Sequence, residues 1–216
     1  MSLGSSLAQS TSIFVSINNR DMRLIDFMRE FPDEKEYCYY QNGKLYYSGG
    51  EEYTGNNQFV LSIAYTITQL YTLNDSYINE VLSTLEDSEL NHYMAPGMWS
   101  HVCPQSEYGN SLANEGKPVE SVVYISFDSS PKGGVSFTPE QIVAHELRHA
   151  YDFDQGYNKG IIPWESTLDI NPAEIRAVNF ENRVRVRMRM PMRKRYSSDI
   201  PASLLENPWK KKTDKK

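Results

Sequence analysis

The sequence predicts an α+β domain: a short β-sheet packs on one helix that carries paired histidines, and a second helix returns beside it. Three observations predict it. Apolar alternations at Ile13–Ile17 and Ser121–Phe127 read as strands. Two aromatic-rich runs, Tyr37–Tyr40 and Leu45–Tyr47, flank Asn42-Gly43. That pair suits a hairpin turn with positive φ at both central residues. Helical periodicity recurs at Asn57–Thr72, Asp75–Leu90 and Thr138–Asp152.

The remaining elements follow in order. Arg20–Phe31 reads as a short helix stopped by Pro32. Phe59, Ile63, Ile67 and Leu70 share a face of the helix over 57–72, and Ile78, Val81, Leu82 and Leu85 do so in the next. The acidic end of that second helix, at Glu86, Asp87 and Glu89, reads as a solvated face. Residues 93–118 are rich in Pro, Gly, Asn and Ser without clear periodicity and read as a long loop. Asp128–Phe137 is a turn-rich link. Arg183–Met190 alternates cation and apolar residue and reads as a strand, or as a helix end unwinding into one.

Composition narrows the function classes. The chain has 216 residues, 39% of them apolar and 23% charged, which excludes bulk disorder. One domain is expected over 13–200, with a flexible N-terminus at 1–12 and a Lys-rich tail at 201–216. No apolar stretch approaches the ~20 residues of a membrane span, so no membrane partner is expected. The N-terminus has neither a basic n-region nor an apolar h-region, so a standard secretory signal is not expected. Cys38 and Cys103 are the only cysteines and read as reduced thiols outside any metal site.

The net charge is -6, but the first 140 residues are strongly acidic and the excess of Lys and Arg lies after Arg183. The chain has no zinc-finger or RNA-recognition signature, so no nucleic-acid partner is expected. The basic stretch reads as solvated, or as a docking surface for an acidic protein.

One segment carries chemistry. Thr138 can cap a helix, Pro139 suits its first position, and Gln141 can close a capping box. Inside this helix stands His145-Glu146-Leu147-Arg148-His149, an HExxH motif. Residues four apart lie one turn apart on one face, so both imidazoles can reach one zinc ion. Glu146 stands beside them as general base for a bound water, whose pKa zinc lowers toward ~7. Arg148 is not needed by this chemistry and is expected on the outer side. The chain has only 4 His. Random placement would give the motif in roughly one chain in two hundred of this composition, so chance is the weaker explanation.

A catalytic zinc site needs a third protein ligand and an open position. Gln155 and Asp152 stand where a metzincin would need His and Gly, so that extension is excluded. Glu174 is the favoured third ligand. Asn171 and Pro172 look like the cap and first turn of a helix that can return beside the first, with small residues around the carboxylate. Glu165 and Glu181 are the alternatives. Asp152 or Asp154 could orient a histidine ring. His101 reads as a solvated loop histidine. Ser121–Phe127 reads equally well as a sheet edge that holds a peptide or as an interior strand.

The HExxH block, with Glu174-Ile-Arg-Ala-Val and Glu181-Asn182-x-x-Arg185 downstream, resembles the effector-type zinc metallopeptidases. These are toxins delivered by bacterial type III secretion, and they also occur as toxin domains of Rhs-type proteins. The Gly43–Tyr46 and Tyr53–Asn56 segments resemble that family too. The resemblance implies a small zincin-like, gluzincin-type domain with one zinc per chain, a protein or peptide substrate, and action inside a target cell after secretion without a standard signal. A monomer is expected, and a cytoplasmic enzyme is the other location. Arg193-Lys194-Arg195-Tyr196 also resembles an Arg-x-x-Tyr pattern of clostridial neurotoxin light chains. It implies that Tyr196 and Arg193 stabilise the oxyanion. The alternatives are a zinc-stabilised, non-catalytic module that binds through the Arg-rich segment, and a zinc amidase acting on cell wall.

Overall fold

The computed structural model describes residues 13–17, 37–127, 137–160, 171–196 and 198–210. Six strands form one mixed sheet: β1 (Ile13–Ser16), β2 (Tyr37–Gln41), β3 (Lys44–Tyr47), β4 (His92–Pro96), β5 (His101–Pro104) and β6 (Ser121–Ile125). Their spatial order is β3-β2-β1-β4-β6-β5. β4 runs parallel to β1 and to β6, while β2, β3 and β5 pair antiparallel. Five α-helices accompany them among the described residues: α1 (Gln58–Thr72), α2 (Ser76–Glu86), α3 (Glu107–Glu115), α4 (Pro139–Asp154) and α5 (Pro172–Arg187). The fold class is α+β. No helix among the described residues is long and apolar enough to cross a membrane.

Local chemistry sets several of these elements. Asn42 and Gly43 take φ of 49° and 83°, so the hairpin turn between β2 and β3 has the expected left-handed pair. Asn57 caps α1 by accepting from the Val60 N–H, and Asp75 caps α2 by accepting from Tyr77 and Ile78. Each such cap is worth about 1 kcal/mol. The Thr138 N–H donates to Gln141 Oε1 at 3.3 Å, so the side-chain half of the expected capping box is present on α4.

The sheet sorts its side chains by face. Ile13, Val15, Cys38, Met94, Val102, Val123 and Ile125 join the main core with the apolar sides of α1, α2 and α4. Each large side chain buried there contributes about 1.5–3 kcal/mol. Tyr37, Ala95, Cys103, Val122 and Tyr124 form a smaller cluster on the other face. Cys38 and Cys103 are unpaired and buried, and burial pushes both thiols up to about 12.

Several expectations are corrected. Residues 93–118 contain most of β4, all of β5 and α3, rather than a long loop. The strands are four or five residues long and end in Pro96 and Pro104, which hid their alternation. β6 lies between β4 and β5 with all five residues buried, so it is interior and β5 is the edge. Arg183–Arg187 is the last part of α5, not a strand. On a helix the period-two arginines diverge. Arg183 and Arg187 both pair with Asp75 (3.1 and 2.6 Å), whereas Arg185 turns to Glu181 (3.3 Å). The cations read as a docking surface are therefore spent on internal pairs at these three positions.

Glu86 is buried, accepting from the Tyr71 phenol and the Asn42 N–H, and is not a solvated residue. Residues 204–210, expected in the tail, are tied to α5: Asn179 bonds Leu204 O and Glu206 N (both 2.9 Å), and Arg183 bonds Lys210 O (3.0 Å). The expected helix at 20–31 and most of the link at 128–137 lie outside the described residues, as does Glu165.

Candidate metal centre

α4 is buried on nearly every side. From Gln141 to Asp154 each residue is buried, polar ones included. A helix in that position needs a partner for every polar side chain. The sheet takes its apolar side and α5 lies along the other, with its small Ala173 and Ala177 buried. Small residues let two helices approach closely, and the polar side chains of α4 meet those of α5.

His145 and His149, one turn apart, turn toward Glu174 in the first turn of α5. Glu174 Oε2 lies 3.1 Å from His145 Nε2 and 3.4 Å from His149 Nε2. These three donor atoms lie within 4.8 Å of one another and could hold a metal ion. The structure thus brings together the three residues expected from the sequence. The set contains two imidazole nitrogens and one carboxylate oxygen, which suits zinc and leaves a further position open.

Glu181 is two turns beyond Glu174 on α5, and it meets the other side of the same ring. Its Oε2 lies 3.3 Å from His145 Nδ1, with no exposure of its carboxylate. Arg193 Nη1 holds that oxygen at 2.8 Å, and Arg185 Nη1 lies 3.3 Å from the other. Arg185 also donates to Gln141 Oε1 at 2.9 Å, which closes the network back onto α4. A carboxylate behind a ligating histidine fixes its tautomer and orientation. The sequence reading placed that role on Asp152 or Asp154, but both are engaged elsewhere. Asp152 pairs with Arg148 (2.8 Å) and Arg176 (2.7 Å), and Asp154 with His92. Arg148 is correspondingly buried, not on the outer side, and donates to the Tyr77 phenol.

Charge follows the packing. Burial opposes a charged His145 ring, but Glu174 and Glu181 at its two nitrogens push it up to about 10. Burial also works against ionised Glu174 and Glu181, yet His149 and His145 at Glu174, and His145 with Arg193 at Glu181, hold both below the usual carboxylate range. Glu146 goes the other way. Burial raises it, and Glu174 and Glu181 reinforce the rise against the two histidines. A carboxylate raised from its ordinary range is the better proton acceptor near neutral pH.

Tyr196 borders the cluster. Its ring lies parallel to that of His145 with centroids 6.0 Å apart, and it remains 44% exposed. Burial of the phenol and the nearby Glu174 and Glu146 carboxylates push its pKa up, so it stays protonated and able to donate. Arg193 sits differently from Tyr196. Its guanidinium is committed to Glu181 and lies 4.9 Å from the ring centres of both Tyr196 and Phe137.

The two other histidines stand apart. His92 is fully buried in β4, with Nδ1 on Ser121 Oγ (2.9 Å) and Nε2 on Asp154 Oδ1 (3.1 Å). His101 belongs to β5, not a loop, and stacks on Tyr124 at 4.6 Å on the sheet face away from α4.

Compared with protein-family models, with curated proteins and with solved structures, the chain matches none.

Proposed function

We propose that this chain is a zinc-dependent endopeptidase of the effector or toxin type, acting on a protein in a target cell. The observation that carries the reading is the convergence of His145 Nε2, His149 Nε2 and Glu174 Oε2 within 4.8 Å, with Glu146 buried beside them on the same helix. The motif resemblance supplies the effector setting and the protein substrate.

In this reading His145, His149 and Glu174 hold the ion. Zinc supplies there a lowered pKa for a bound water and polarisation of the scissile carbonyl. Glu146 accepts the proton of the attacking water and returns it to the leaving amine nitrogen. Tyr196 donates its O–H to the oxygen that gains charge as the carbonyl carbon becomes tetrahedral. Glu181 stands 3.3 Å behind the His145 ring as its ion-pair partner, and Arg193 and Arg185 hold Glu181. Arg193 therefore acts through Glu181 rather than on the oxyanion.

The test is a peptide-library digest with the zinc-loaded chain, with and without a chelator, beside Glu146→Gln. The reading expects cleavage by the native chain alone, abolished by the chelator. Cleavage that survives in Glu146→Gln contradicts it. Hydrolysis of cell-wall amides without peptide cleavage would favour the amidase reading instead.

A further inference from the structure

Asn182 belongs to the Glu181-Asn182-x-x-Arg185 block, and the chemistry above gives it no part. It is fully buried on α5. Its amide makes two bonds to one residue: Nδ2 donates to Arg193 O at 2.8 Å, and Oδ1 accepts from the Arg193 N–H at 2.6 Å. That double bond imitates a strand neighbour and fixes both position and orientation of the Arg193 peptide. One bond would satisfy a polar group without fixing its direction.

The segment needs such a fix. After α5 the chain reverses at Arg189, a non-glycine residue with φ of 59°. From Met190 to Lys194 it has no regular structure, and an isolated bridge between Arg195 and Asp199 and a short 3-10 turn at Ala202–Leu204 follow among the described residues. Tyr196 follows Arg193 by three residues, and the Arg193 guanidinium links Glu181 to the face of the Tyr196 ring. Arg193 thus lies in contact with the Tyr196 ring that stacks on His145.

We propose that Asn182 is a positioning residue, whose buried amide clamps the Arg193 backbone and so holds the Tyr196 phenol at the His145–Glu174 cluster. The role rests on the reading of Tyr196 as the oxyanion donor. The molecule contains its own control. Asn179, one turn earlier on α5, also uses both ends of its amide on backbone groups, donating to Leu204 O and accepting from the Glu206 N–H, but on a stretch beyond the site.

The experiment compares Asn182→Ala, Asn179→Ala, Tyr196→Ala and Tyr196→Phe in the full chain by three readouts. These are zinc content, the NMR shifts of the His145 ring protons without added metal, and kcat on a cleavable peptide. In Asn182→Ala the His145 shifts move toward those of Tyr196→Ala, and zinc content stays at the native level. Its kcat falls by roughly ten- to a hundredfold, less than or equal to the loss from deleting an oxyanion donor in Tyr196→Phe. Adding Tyr196→Phe to Asn182→Ala lowers kcat no further than Tyr196→Phe alone. Asn179→Ala keeps native shifts and native kcat.

Native His145 shifts in Asn182→Ala overturn the proposal. So does a kcat loss that adds fully to that of Tyr196→Phe, or an equal loss in Asn179→Ala. A native chain that cleaves nothing sinks the peptidase reading, while the His145 shifts still decide the clamp. Should Asn182→Ala fail to fold, Asn182→Asp keeps the acceptor for the Arg193 N–H and loses the donor. It then shows the same shift change at smaller size, and unchanged shifts there overturn the clamp.

Discussion

Two buried histidine clusters stand on opposite stretches of α4, and they differ in where their nitrogens point. At the C-terminal end, His92 spends both nitrogens on the protein, one on Ser121 and one on Asp154. Asp154 is further held by the Ser88 hydroxyl and Gln155. That cluster is closed and ties the end of α4 to the sheet. In the middle of α4, Glu181 lies at His145 Nδ1, while His145 Nε2 and His149 Nε2 converge on a single Glu174 oxygen beside a half-exposed tyrosine. The two nitrogens of His92 diverge to separate partners on β6 and α4, with no second histidine beside them among the described residues. Donors from three side chains converging on one point are what a metal site requires.

Variants can break this contrast, the largest effect first. Glu146→Gln lowers peptidase kcat by about 10²–10⁴-fold, since it removes the proton acceptor, and leaves zinc content and thermal midpoint near native. Steady-state kinetics beside elemental analysis read both. A comparable loss of zinc would instead make Glu146 part of the metal shell.

Glu181→Gln weakens zinc affinity by about 10–100-fold, the size seen when the partner behind a ligating histidine is lost. Competition with a chromogenic chelator measures it. Unchanged affinity would mean that Glu181 only satisfies Arg193 and Arg185.

Asp154→Ala leaves His92 Nε2 buried without its partner and costs about 1–3 kcal/mol of stability. Zinc content and kcat stay native if the two clusters are independent. Urea unfolding with a zinc assay checks both, and loss of zinc would show that the clusters are coupled.

The smallest effect is on acid stability. Burial works against the Asp154 charge, yet His92, Ser88 and Gln155 win and hold its carboxyl below the usual carboxylate range. A carboxyl lowered by folding contributes stability that is complete above its unfolded value. That contribution is lost as pH falls through the folded value. Asp154→Ala therefore flattens the fall in thermal midpoint below about pH 4. An unchanged pH profile would assign the acid sensitivity to other carboxyls, such as Asp75 between Arg183 and Arg187.

Local chemistry made part of this legible in the sequence. The Asn42-Gly43 turn and the Asn171 cap depend on a few neighbouring residues. The same holds for the helix that bears HExxH. Partners distant along the chain were not legible. Asp75 lies more than a hundred positions from the arginines that neutralise it, so their alternation looked like a strand. Glu174 and Glu181 fall on one face of α5, two turns apart. Helical spacing brought both carboxylates to the histidines, but only the packing separates the one at Nε2 from the one at Nδ1. Asn182 carried no signal beyond its place in the block, because its partner is a backbone peptide, which any sequence could supply.

The contrast between the clusters assigns zinc to the open one and not to the closed one. Elemental analysis of the native chain, Glu174→Ala and His92→Ala, each reconstituted and desalted in parallel, tests it most directly. About one zinc per chain is expected in the native protein and in His92→Ala, with the site emptied or greatly weakened in Glu174→Ala. A native chain that retains no zinc, or a His92→Ala chain that loses it as Glu174→Ala does, would contradict the account.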